Sequence, residues 1–448
     1  MRKYTAILTD LERQIAEGRY RPGQRLPSVR SAATAYRCSV STITRAYAEL
    51  EQRHVIYAVP QSGFFVVEQS GDWRDPRDPA LIDFATVLPD LDAFPYRDFQ
   101  HCLNQAIDSY KYDLFTYGRP QGLASFVQTL VSHLANDQVF TSAQRIVVTS
   151  GAQQALQLLA RMPFPSGKRT ILVEQPSYDL YLRFLETEDI PVAGIPRTAA
   201  GLDMEELEQW FKGGEIKFFY TMPRYHNPLG ISYTTEERRA IVRLAARYDV
   251  YIVEDDYMAD LGTERSYDPL YSYDGGARVI YVKSFSKIIF PGLRVGAVVL
   301  PEALLPLFHA FKLYPDTSLL SQAALEIYMK NGMYERHKHR IASLYASRME
   351  ALYASIRRHP AAGLITVPDR CSGIYMPLQV KPTVNLDRLT ERLAARSVRV
   401  ISSPRFYHPS YLERDKFLRL SISQTAPEQI ERGVAAILEE LRQSGGYW

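Results

Sequence analysis

The segment KSFSKIIFPGLRVGA, residues 283–297, places a lysine directly behind two serines and an arginine seven residues further on. A lysine is a poor choice for a tight polar turn unless its amine takes part in chemistry. The ε-amine of Lys287 is the type of nucleophile that forms a Schiff base with an aldehyde cofactor. Ser284, Ser286 and Arg294 supply hydroxyl groups and a guanidinium that can hold a phosphate dianion. The segment therefore predicts a site for a phosphorylated aldehyde.

Short apolar runs alternate with amphipathic helical stretches through residues 81–448, among them RIVVTS, RTILVEQPSY, PVAGIP, IKFFYTMP, VYIVEDDY and ARVIYVKS. This pattern is typical of a mainly parallel sheet that is covered on both faces. In such sheets, ligands bind beyond the carboxyl ends of the strands. The chemically unusual residues follow those ends, and we expect them to form one site: Ser150, Gly151, Tyr178, Asn227, Asp255, Tyr257 and Lys287.

Four of these residues match the parts of an aromatic cofactor. Asp255 follows a buried strand, where a carboxylate can pair with a protonated pyridine nitrogen and make the ring an electron sink. Tyr257 and Asn227 can donate hydrogen bonds to a phenolate oxygen on the ring. Tyr178 offers a flat face that can stack on it. Together they predict an aromatic ring that Lys287 holds through its aldehyde.

A phosphate site is predicted where a helix follows the strand RIVVTS. The backbone amides of Gly151, Ala152 and Gln153 open this helix. Amides at a helix N-terminus attract anions, because they have no partner within the helix. We therefore expect these amides to bind the phosphate together with the two serines and the arginine of residues 283–297.

Residues 1–67 predict a winged helix-turn-helix. Three amphipathic helical stretches are followed by HVIYAVPQSGFFVV, which has the pattern of two short strands joined by a turn that contains glycine. Ser28 and Ser39 stand where they can cap the second and third helices. The third helix has a stripe that we expect to be buried: Ile43, Ala46, Tyr47 and Leu50.

Composition and charge limit the classes of function. The 448 residues are 46% hydrophobic and 23% charged, as in an ordinary soluble protein with room for several domains. Residues 1–67 contain ten Lys and Arg against five Asp and Glu, whereas the remainder contains 43 against 45. A small basic head on a nearly neutral body favours contact with nucleic acid. We expect a DNA-binding domain at residues 1–67, a linker at 68–80 and an effector domain at 81–448.

Cysteine usage and hydropathy predict the compartment. The three cysteines are far apart, and their spacing suggests neither a disulfide framework nor a metal site. The N-terminal segment has no apolar signal core, and no run of about 18 apolar residues is found. We therefore expect a cytoplasmic protein with no metal and no membrane partner.

Residues 81–448 resemble the fold-type I aminotransferases over nearly their whole length, through YGRPQGLASF, TSGAQQAL, EQPSYDLY, YHNPLGISY, VEDDY, SFSKIIFPGLRVGA and FLRLSIS. The resemblance implies pyridoxal 5′-phosphate on Lys287 with Asp255 at the pyridine nitrogen. It implies a mainly parallel central sheet and a smaller C-terminal α+β subdomain. It also implies that Arg419 clamps an amino-acid carboxylate and that Tyr117 reaches the phosphate of the neighbouring subunit in a homodimer.

Residues 21–67 resemble the DNA-binding head of the GntR regulators, through the PGxxLPSxR opening, the helix STITRAYAEL and the wing glycine. The resemblance implies that the third helix lies in the major groove of promoter DNA. The implied DNA contacts are Arg25, Arg30, Ser39, Ser41, Thr42, Thr44, Arg45, Gln61, Ser62 and Gly63. Val40 stands where the family usually has arginine, so one polar contact is missing.

A GntR-type head joined to an aminotransferase-like body resembles the MocR/GabR regulators over the entire chain, including the PdxR-like regulators of vitamin B6 synthesis. The resemblance implies a transcriptional regulator that acts as a domain-swapped homodimer. Its body would sense pyridoxal 5′-phosphate or an amino compound that reacts with it. Regulators of this type respond to the cofactor itself, γ-aminobutyrate, taurine or a dipeptide, and the sequence leaves the effector, the operator and the sign of regulation open.

Two other functions stay open at this point. A working aminotransferase with an incidental or autoregulatory head needs the same cofactor residues, and HNPLG carries the asparagine usual in such enzymes. Together with Arg419, this asparagine leaves amino-acid binding and partial transamination open. A DNA-binding protein that has lost the cofactor fits less well, because the full set of cofactor contacts is present. The basic head favours the regulator, because a metabolic enzyme gains nothing from a winged helix.

Overall fold

The structure is a computed structural model, and it describes residues 3–21, 23–52, 55–59, 61–67, 80–90, 92–262 and 267–444. The chain divides into two compact units, Met1–Pro79 and Ala80–Trp448. Each unit has a hydrophobic core of its own. Except for Ala80, the linker predicted at residues 68–80 lies outside the described residues, and the exact domain boundaries stay a prediction.

The small unit consists of three helices followed by an antiparallel hairpin: α1 (Lys3–Ala16), α2 (Val29–Ala35), α3 (Val40–Gln52), β1 (Ile56–Val59) and β2 (Gly63–Val66). The hairpin pairs Ile56 with Val66 and Val59 with Gly63. Gly63 has a φ of +109°, a backbone conformation that side chains rarely adopt, so this position of the wing favours glycine. These elements confirm the predicted winged helix-turn-helix.

Capping serines and a buried stripe define the helices of this unit. The Oγ of Ser28 accepts a hydrogen bond from the amide three residues later at 3.1 Å, and the Oγ of Ser39 accepts one from the Thr42 amide at 3.3 Å. Both serines satisfy amides that a helix start leaves without partners. All four residues of the predicted α3 stripe are buried, and Tyr47 also donates its hydroxyl to the carbonyl of Pro27 at 2.9 Å.

The large unit alternates short strands with helices. Its strands are β3 (Ile82–Asp83), β4 (Ile146–Thr149), β5 (Thr170–Gln175), β6 (Val192–Thr198), β7 (Gly201–Leu202), β8 (Ile216–Thr221), β9 (Tyr251–Asp255), β10 (Val279–Ser284), β11 (Gly296–Val299), β12 (Ile365–Thr366), β13 (Tyr375–Val380), β14 (Val398–Arg399), β15 (Ile401–Ser402) and β16 (Phe417–Ser421). Its helices are α4 (Tyr96–Tyr110), α5 (Ala124–Asn136), α6 (Ala152–Arg161), α7 (Asp179–Thr187), α8 (Met204–Lys212), α9 (Thr235–Tyr248), α10 (Leu270–Asp274), α11 (Leu305–Phe311), α12 (Leu319–Lys330), α13 (Met333–Arg358), α14 (Leu386–Ala395) and α15 (Pro427–Ser444).

Eight strands form the central sheet, in the spatial order β4-β11-β10-β9-β8-β5-β6-β7. The strands from β10 to β6 in this order are parallel, whereas β7 and β11 run antiparallel to their neighbours. The strands β8 and β10 are buried along their whole length, as expected for a sheet covered on both faces. The mainly parallel sheet is therefore confirmed, and the short antiparallel strand β11 was not predicted.

A smaller sheet lies in the C-terminal part of the large unit, with antiparallel strands in the order β12-β13-β16-β15. The 26-residue helix α13 packs against α15, which also packs against α14. The strand β3 pairs in parallel with β14, so the first strand of the unit belongs to this part of the fold. The predicted C-terminal α+β subdomain is confirmed.

Among the described residues, no helix combines the length and the apolar character that crossing a bilayer requires.

Candidate functional site

A cavity of about 350 Å³ lies where the central strands end. Eleven of the twelve predicted cofactor residues line it: Gly151, Ala152, Gln153, Tyr178, Asn227, Asp255, Tyr257, Ser284, Ser286, Lys287 and Arg294. Arg419, the predicted carboxylate clamp, lines the same cavity. Tyr117 does not line it and is 98% exposed. The large unit thus gathers side chains from five strand ends at one place, as the sequence pattern predicts.

Lys287 lies three residues beyond the end of β10, in the segment that leads to β11. Its Nζ donates a hydrogen bond to the carbonyl oxygen of Val87 at 2.8 Å. Burial, together with the charge of Arg419, lowers the pKa of this amine to about 8. The neutral fraction of Lys287 near pH 7 is therefore larger than that of an ordinary lysine. The neutral amine is the nucleophilic form.

The start of α6 lines the cavity at the place where the sequence predicts a phosphate site. Gly151 precedes this helix with a φ of +79°, and a Cβ at Gly296 would lie only 2.8 Å from the Gly151 backbone. The two glycines therefore allow β11 to approach the first amides of α6 closely. Arg294 donates from Nη2 to the carbonyl before Gly151 at 2.5 Å, and the Oγ of Ser284 accepts from the amide of Ser286 at 3.3 Å. Amides, hydroxyls and a guanidinium together suit a phosphate.

Asp255 is the last residue of β9 and is buried at the cavity wall. Its Oδ2 accepts a hydrogen bond from the hydroxyl of Tyr220 at 2.8 Å. Its Oδ1 is buried and has no hydrogen-bond partner among the described residues. Burial raises the pKa of Asp255 to about 7, against the opposing effect of the Tyr220 hydrogen bond. A buried carboxylate oxygen without a donor is costly, so this position favours a ligand that brings a proton.

The three predicted ring contacts differ in how their polar atoms are used. The hydroxyl of Tyr257 donates to the carbonyl of Tyr225 at 2.7 Å, and the hydroxyl of Tyr178 accepts from Nε2 of Gln153 at 2.8 Å. The Oδ1 of Asn227 is buried and has no partner among the described residues. Donation by Tyr257 to a ring oxygen therefore requires exchange of an existing hydrogen bond, whereas the unused atom of Asn227 is an acceptor, and the predicted donation would come from its Nδ2.

Arg419 lies on β16 and is 3% exposed. Its Nη2 donates to the carbonyl oxygen of Ala85 at 2.6 Å, and its Nε has no partner among the described residues. The guanidinium lies 4.9 Å from the ring centre of Tyr375 and 5.3 Å from that of Phe406. Burial lowers the pKa of Arg419 from its ordinary value, against the opposing effects of Tyr375 and Asp179. Arg419 is thus a buried cation with one buried donor, Nε, that has no partner among the described residues.

Several cavity residues were not predicted from the sequence. Ala85 and Val87 supply the carbonyl oxygens that hold Arg419 and Lys287. Asp179 and Arg405 form an ion pair at the cavity wall, with Nη2 and Oδ2 separated by 2.5 Å. Asp179 directly follows the predicted Tyr178 in EQPSYDLY, so its place was open to prediction. The other three lie in segments without a recognisable pattern, far away along the chain.

The start and the exposed face of α3 carry half of the ten predicted DNA contacts. Ser39, Ser41, Thr44 and Arg45 are exposed, and Thr42 is partly buried. The Oγ of Ser39 lies 2.9 Å from that of Ser41 and 2.7 Å from Oγ1 of Thr42. The guanidinium of Arg45 lies over the ring of an α1 tyrosine at 4.4 Å from its centre. The hydroxyls of these residues therefore have local partners, and Arg45 has a local aromatic contact.

The remaining predicted DNA contacts lie outside α3. Arg25 and Arg30 are exposed, as are Gln61 and Ser62 at the tip of the wing. The side chain of Arg25 lies beside Gly63, within 3.1 Å of the position that a Cβ would take there. The turn before α2 and the wing are thus neighbours on the same small unit.

A second buried cluster contains acidic and histidine side chains that could hold a metal ion. Ligand atoms of His133, Asp137 and Asp260 lie within 4.8 Å of one another. The amine of Lys283 lies 2.8 Å from a carboxylate oxygen of Asp137 and 3.1 Å from one of Asp260. Burial acts to raise the pKa of both carboxylates, but the positive charge of Lys283 acts in the opposite direction. The pKa of each is lowered from its ordinary value. A lysine thus already supplies the compensating positive charge in this cluster.

Comparison with known families assigns both parts of the chain. The family of class I and II aminotransferases matches residues 88–437, and the gntR family of bacterial regulatory proteins matches residues 3–66. The uncharacterized HTH-type transcriptional regulator YcxD of Bacillus subtilis (strain 168) is 47% identical over 446 residues, which cover 98% of this chain and 100% of that protein. The chain belongs to the MocR/GabR type of transcriptional regulators.

More distant relatives agree with this assignment. The HTH-type transcriptional regulator TauR of Rhodobacter capsulatus is 28% identical to the regulator over 96% of this chain and 94% of its own length. The crystal structure of Pyrococcus horikoshii kynurenine aminotransferase, in complex with PMP, has a TM-score of 0.74. It is 25% identical and aligns with 82% of this chain and 91% of its own. The fold-type I aminotransferase fold is thereby confirmed, and the family implies pyridoxal 5′-phosphate as the cofactor.

The cavity of the regulator fits this cofactor on structural grounds. The buried Oδ1 of Asp255 has no donor in the part of the chain that the structure describes, and a protonated ring nitrogen is a donor. The close approach of Gly151 and Gly296 leaves the first amides of α6 beside Arg294, which suits a phosphate. The lowered pKa of Lys287 suits an amine that captures an aldehyde. Three chemically different parts of the cofactor thus meet three matching groups.

Proposed function

We propose that the regulator binds promoter DNA through its winged helix and senses pyridoxal 5′-phosphate, or an amino compound that reacts with it, in the cavity of the large unit. One observation carries this proposal: a lysine of lowered pKa, a carboxylate oxygen without a donor and an anion-binding helix start line the same cavity. Control of vitamin B6 synthesis is the form of this function in which the cofactor itself is the effector. A cytoplasmic location agrees with access to DNA.

Each part of the cofactor has a proposed partner in the cavity. When bound, the cofactor supplies an aldehyde for a primary amine and a pyridinium ring that withdraws electrons. Lys287 would hold the aldehyde carbon, and Asp255 would accept a hydrogen bond from the protonated ring nitrogen. Tyr178 would stack on the ring, while Asn227 and Tyr257 would orient its oxygen. The proposed phosphate contacts are Gly151, Ala152, Gln153, Ser284, Ser286 and Arg294.

Arg419 is the proposed clamp for the carboxylate of an amino ligand. Its buried guanidinium has an unused Nε donor and makes its described hydrogen bond to a backbone carbonyl. A carboxylate can accept two parallel hydrogen bonds from a guanidinium and neutralise its charge, which a single carbonyl cannot do. An amino acid bound near Lys287 therefore gains from contact with Arg419.

The segment around Ala85 and Val87 is the proposed link from the cavity to the head. In the protein without ligand, its carbonyls accept hydrogen bonds from Arg419 at 2.6 Å and from Lys287 at 2.8 Å. A ligand that engages both cations replaces these two hydrogen bonds. The strand β3 joins this segment to the linker, so we propose that its release acts on the attachment of the head through β3. The ligand shifts the balance of conformations only by its differential affinity for them.

A second copy of this chain is the proposed partner in a domain-swapped homodimer. Large apolar side chains are exposed in two segments of the large unit: Tyr112, Phe115, Tyr117, Phe311, Leu313 and Tyr314. Exposed apolar clusters of this kind mark interaction surfaces. Tyr117, at 98% exposure, is the proposed contact to the phosphate in the partner's cavity. Sedimentation at micromolar concentration tests this assembly, and a monomer contradicts it.

The proposed DNA contacts come from α3, the turn before α2 and the wing. They are Arg25, Arg30, Ser39, Ser41, Thr42, Thr44, Arg45, Gln61, Ser62 and Gly63. Their support is the exposure of the α3 face and the excess of basic residues in the small unit. Contacts of this type divide into phosphate contacts, which set affinity, and base contacts, which set sequence preference.

A catalytic aminotransferase is the second candidate function. Asn227 and Arg419 favour it, because both have unused hydrogen-bonding capacity at the cavity. Steady turnover of an amino acid and an oxoacid by the purified protein would support catalysis as the main function. A single half-reaction without turnover is compatible with the sensor.

The decisive experiment measures promoter affinity with and without pyridoxal 5′-phosphate, for the wild-type protein and for Lys287→Ala. We expect the cofactor to change the affinity of the wild type and to leave that of the variant unchanged. Equal affinities in all four cases would remove the sensor function and leave only a DNA-binding protein. Absorbance of the purified wild type, measured in parallel, reports whether the cofactor is bound.

A further inference from the structure

The ion pair between Asp179 and Arg405 lines the cavity but has no role in the cofactor contacts described so far. Asp179 is the first residue of α7, whereas Arg405 lies in the turn Ser403–Phe406 that follows β15. The Nε and Nη2 of Arg405 lie 2.8 Å and 2.5 Å from Oδ2 of Asp179. The central part of the large unit and its C-terminal part thus each contribute one charge.

The geometry of this pair leaves the arginine able to bind something else. Both contacts of Arg405 go to the same oxygen of Asp179, although a guanidinium prefers two parallel hydrogen bonds to two oxygens. A guanidinium also has five N–H donors, so two contacts do not saturate it. The side chain of Arg405 is 41% exposed, whereas that of Asp179 is 11% exposed. The more accessible member of the pair is therefore the hydrogen-bond donor.

The charges around the pair favour an anionic ligand group. Arg405 is a cation distinct from Arg294, at the proposed phosphate site, and from Arg419, the proposed carboxylate clamp. The positive charge of Arg405 contributes to lowering the pKa of Arg419, so the two guanidinium groups lie close enough to interact. Asp179 is one carboxylate beside two arginines. A ligand that brings two negative groups would compensate both cations.

The rest of the wall suits an aliphatic chain between two such groups. Leu88 and Leu180 line the cavity and are 40% and 43% exposed, and Ile401 lines it two residues before the turn that carries Arg405. Apolar side chains contact methylene groups favourably and offer no partner to a polar spacer.

We propose that Arg405 recognises a second carboxylate on the amino ligand, so that the cavity selects dicarboxylic amino acids over amino acids with a neutral side chain. This inference rests on the proposed function, because it assumes an amino ligand that Arg419 and Lys287 bind. Asp179 holds Arg405 in the absence of the ligand and competes with the ligand's second carboxylate. Arg405 is then a specificity-determining residue, and Asp179 is a positioning residue.

The test is a titration of the cofactor-loaded protein with L-glutamate, L-aspartate and L-glutamine. The absorbance of the bound cofactor reports the binding of each amino acid. We expect the dicarboxylic amino acids to bind about tenfold more tightly than L-glutamine, as for a hydrogen bond between charged groups. Arg405→Gln should remove this preference, and Arg405→Lys should keep part of it. Arg183→Gln is the matched control, because Arg183 is exposed on α7 and does not line the cavity.

A second variant separates recognition from a structural role of the ion pair. Asp179→Asn removes the competitor for Arg405, so we expect tighter binding of L-glutamate with little change for L-glutamine. If the pair only stabilises the fold, Arg405→Gln and Asp179→Asn should weaken all three ligands alike. If Arg405→Gln misfolds, Asp179→Asn still gives the answer: weaker binding of all three ligands by that variant would overturn the inference.

The remaining outcomes also decide between the two proposals. Equal affinity of the wild type for all three amino acids, or a response to none of them, overturns the role of Arg405 and leaves cofactor sensing intact. A wild-type protein that binds no cofactor overturns the proposed function, and the inference falls with it.

Discussion

The cavity of the large unit and the exposed face of α3 are both candidate binding surfaces, but their polar groups differ in how they are satisfied. In the cavity, Oδ1 atoms of Asp255 and Asn227 are buried without partners in the described residues. On α3, Ser39 and Ser41 contact each other, and Thr44 donates to the carbonyl of Val40 at 3.0 Å. The cavity therefore contains buried polar atoms without partners among the described residues, whereas the hydroxyls of the α3 face have local partners.

This difference shows which kind of site a structure can reveal by itself. Buried polar groups without partners cost free energy, and a ligand that supplies the partners recovers it. The attraction of a basic head to phosphate acts through solvent and leaves no unsatisfied atom in the free protein. A cofactor site can thus be recognised from hydrogen bonds and burial, whereas a DNA-binding face is recognised from net charge and family pattern.

The largest expected effect is the loss of covalently held cofactor in Lys287→Ala, because no other group in the predicted set can form the bond to the aldehyde. After reduction with borohydride, mass spectrometry should find the cofactor on Lys287 of the wild type and no adduct in the variant. Lys212→Ala is the control, since Lys212 ends α8 and does not line the cavity. An adduct that persists in Lys287→Ala would place the cofactor on another lysine.

The next largest effect is on the free energy of unfolding, which the buried carboxylate of Asp255 lowers when it is charged. The pKa of Asp255 is raised to about 7, so the folded protein keeps a proton that the unfolded chain loses near pH 4. Stability of the cofactor-free protein should therefore fall as pH rises from about 4 to about 7, and the cost persists above that. Asp255→Asn removes this cost, which is of the order of 1–4 kcal/mol.

Thermal unfolding of cofactor-free wild type and Asp255→Asn at pH 5 and pH 8 checks this expectation. The variant should gain more stability over the wild type at pH 8 than at pH 5, and it should bind pyridoxal 5′-phosphate at least about tenfold more weakly. A variant that is destabilised at both pH values would show that Asp255 is satisfied in the free protein. If Asp255→Asn is more stable than the wild type but binds the cofactor more weakly, the Asp255 carboxylate favours binding at the expense of stability.

The two surfaces also differ in how far the sequence predicted them. Continuous motifs at strand ends identified Lys287, Asp255 and Arg294, because parallel strands bring their carboxyl ends together whatever the detailed packing. The carbonyls of residues 85 and 87 were not predicted, because a backbone oxygen carries no side-chain signal. Arg405 was not predicted either, because its place depends on how the C-terminal part packs beside α7.

In the small unit, the sequence predicted the elements but not the state of the side chains. Capping serines, an apolar stripe and a glycine in the wing are local signals, and the structure contains all of them. The position of Arg45 over the ring of Tyr4 depends on how α1 crosses α3, which periodicity alone does not give. Local patterns therefore define this fold, whereas tertiary packing sets which donors are free.

A smaller effect sharpens the role of the buried lysine. Its pKa of about 8 means that the neutral amine increases about tenfold per pH unit below pH 8 and levels off above it. The rate at which cofactor-free protein takes up pyridoxal 5′-phosphate should follow this curve, with a midpoint near pH 8. Asp179 opposes the lowering of this pKa, so Asp179→Asn should move the midpoint to lower pH. A midpoint above pH 10 would mean that water reaches the amine freely.

The smallest expected effect is on the α3 face, where Val40→Arg adds the charge that the resemblance to GntR heads implies at this position. Val40 is 50% exposed at the start of α3, so an arginine there can reach a DNA phosphate without repacking the core. We expect promoter affinity to rise about threefold to tenfold at low salt, and the slope of log affinity against log salt to steepen by about one unit. Val40→Gln is the control of similar reach without charge.

A positive charge at a helix start is unfavourable, so Val40→Arg should also lose a small amount of stability. An affinity gain of equal size in Val40→Gln would mean that position 40 contacts a base, and the α3 face would then share with the cavity a dependence on specific hydrogen bonds.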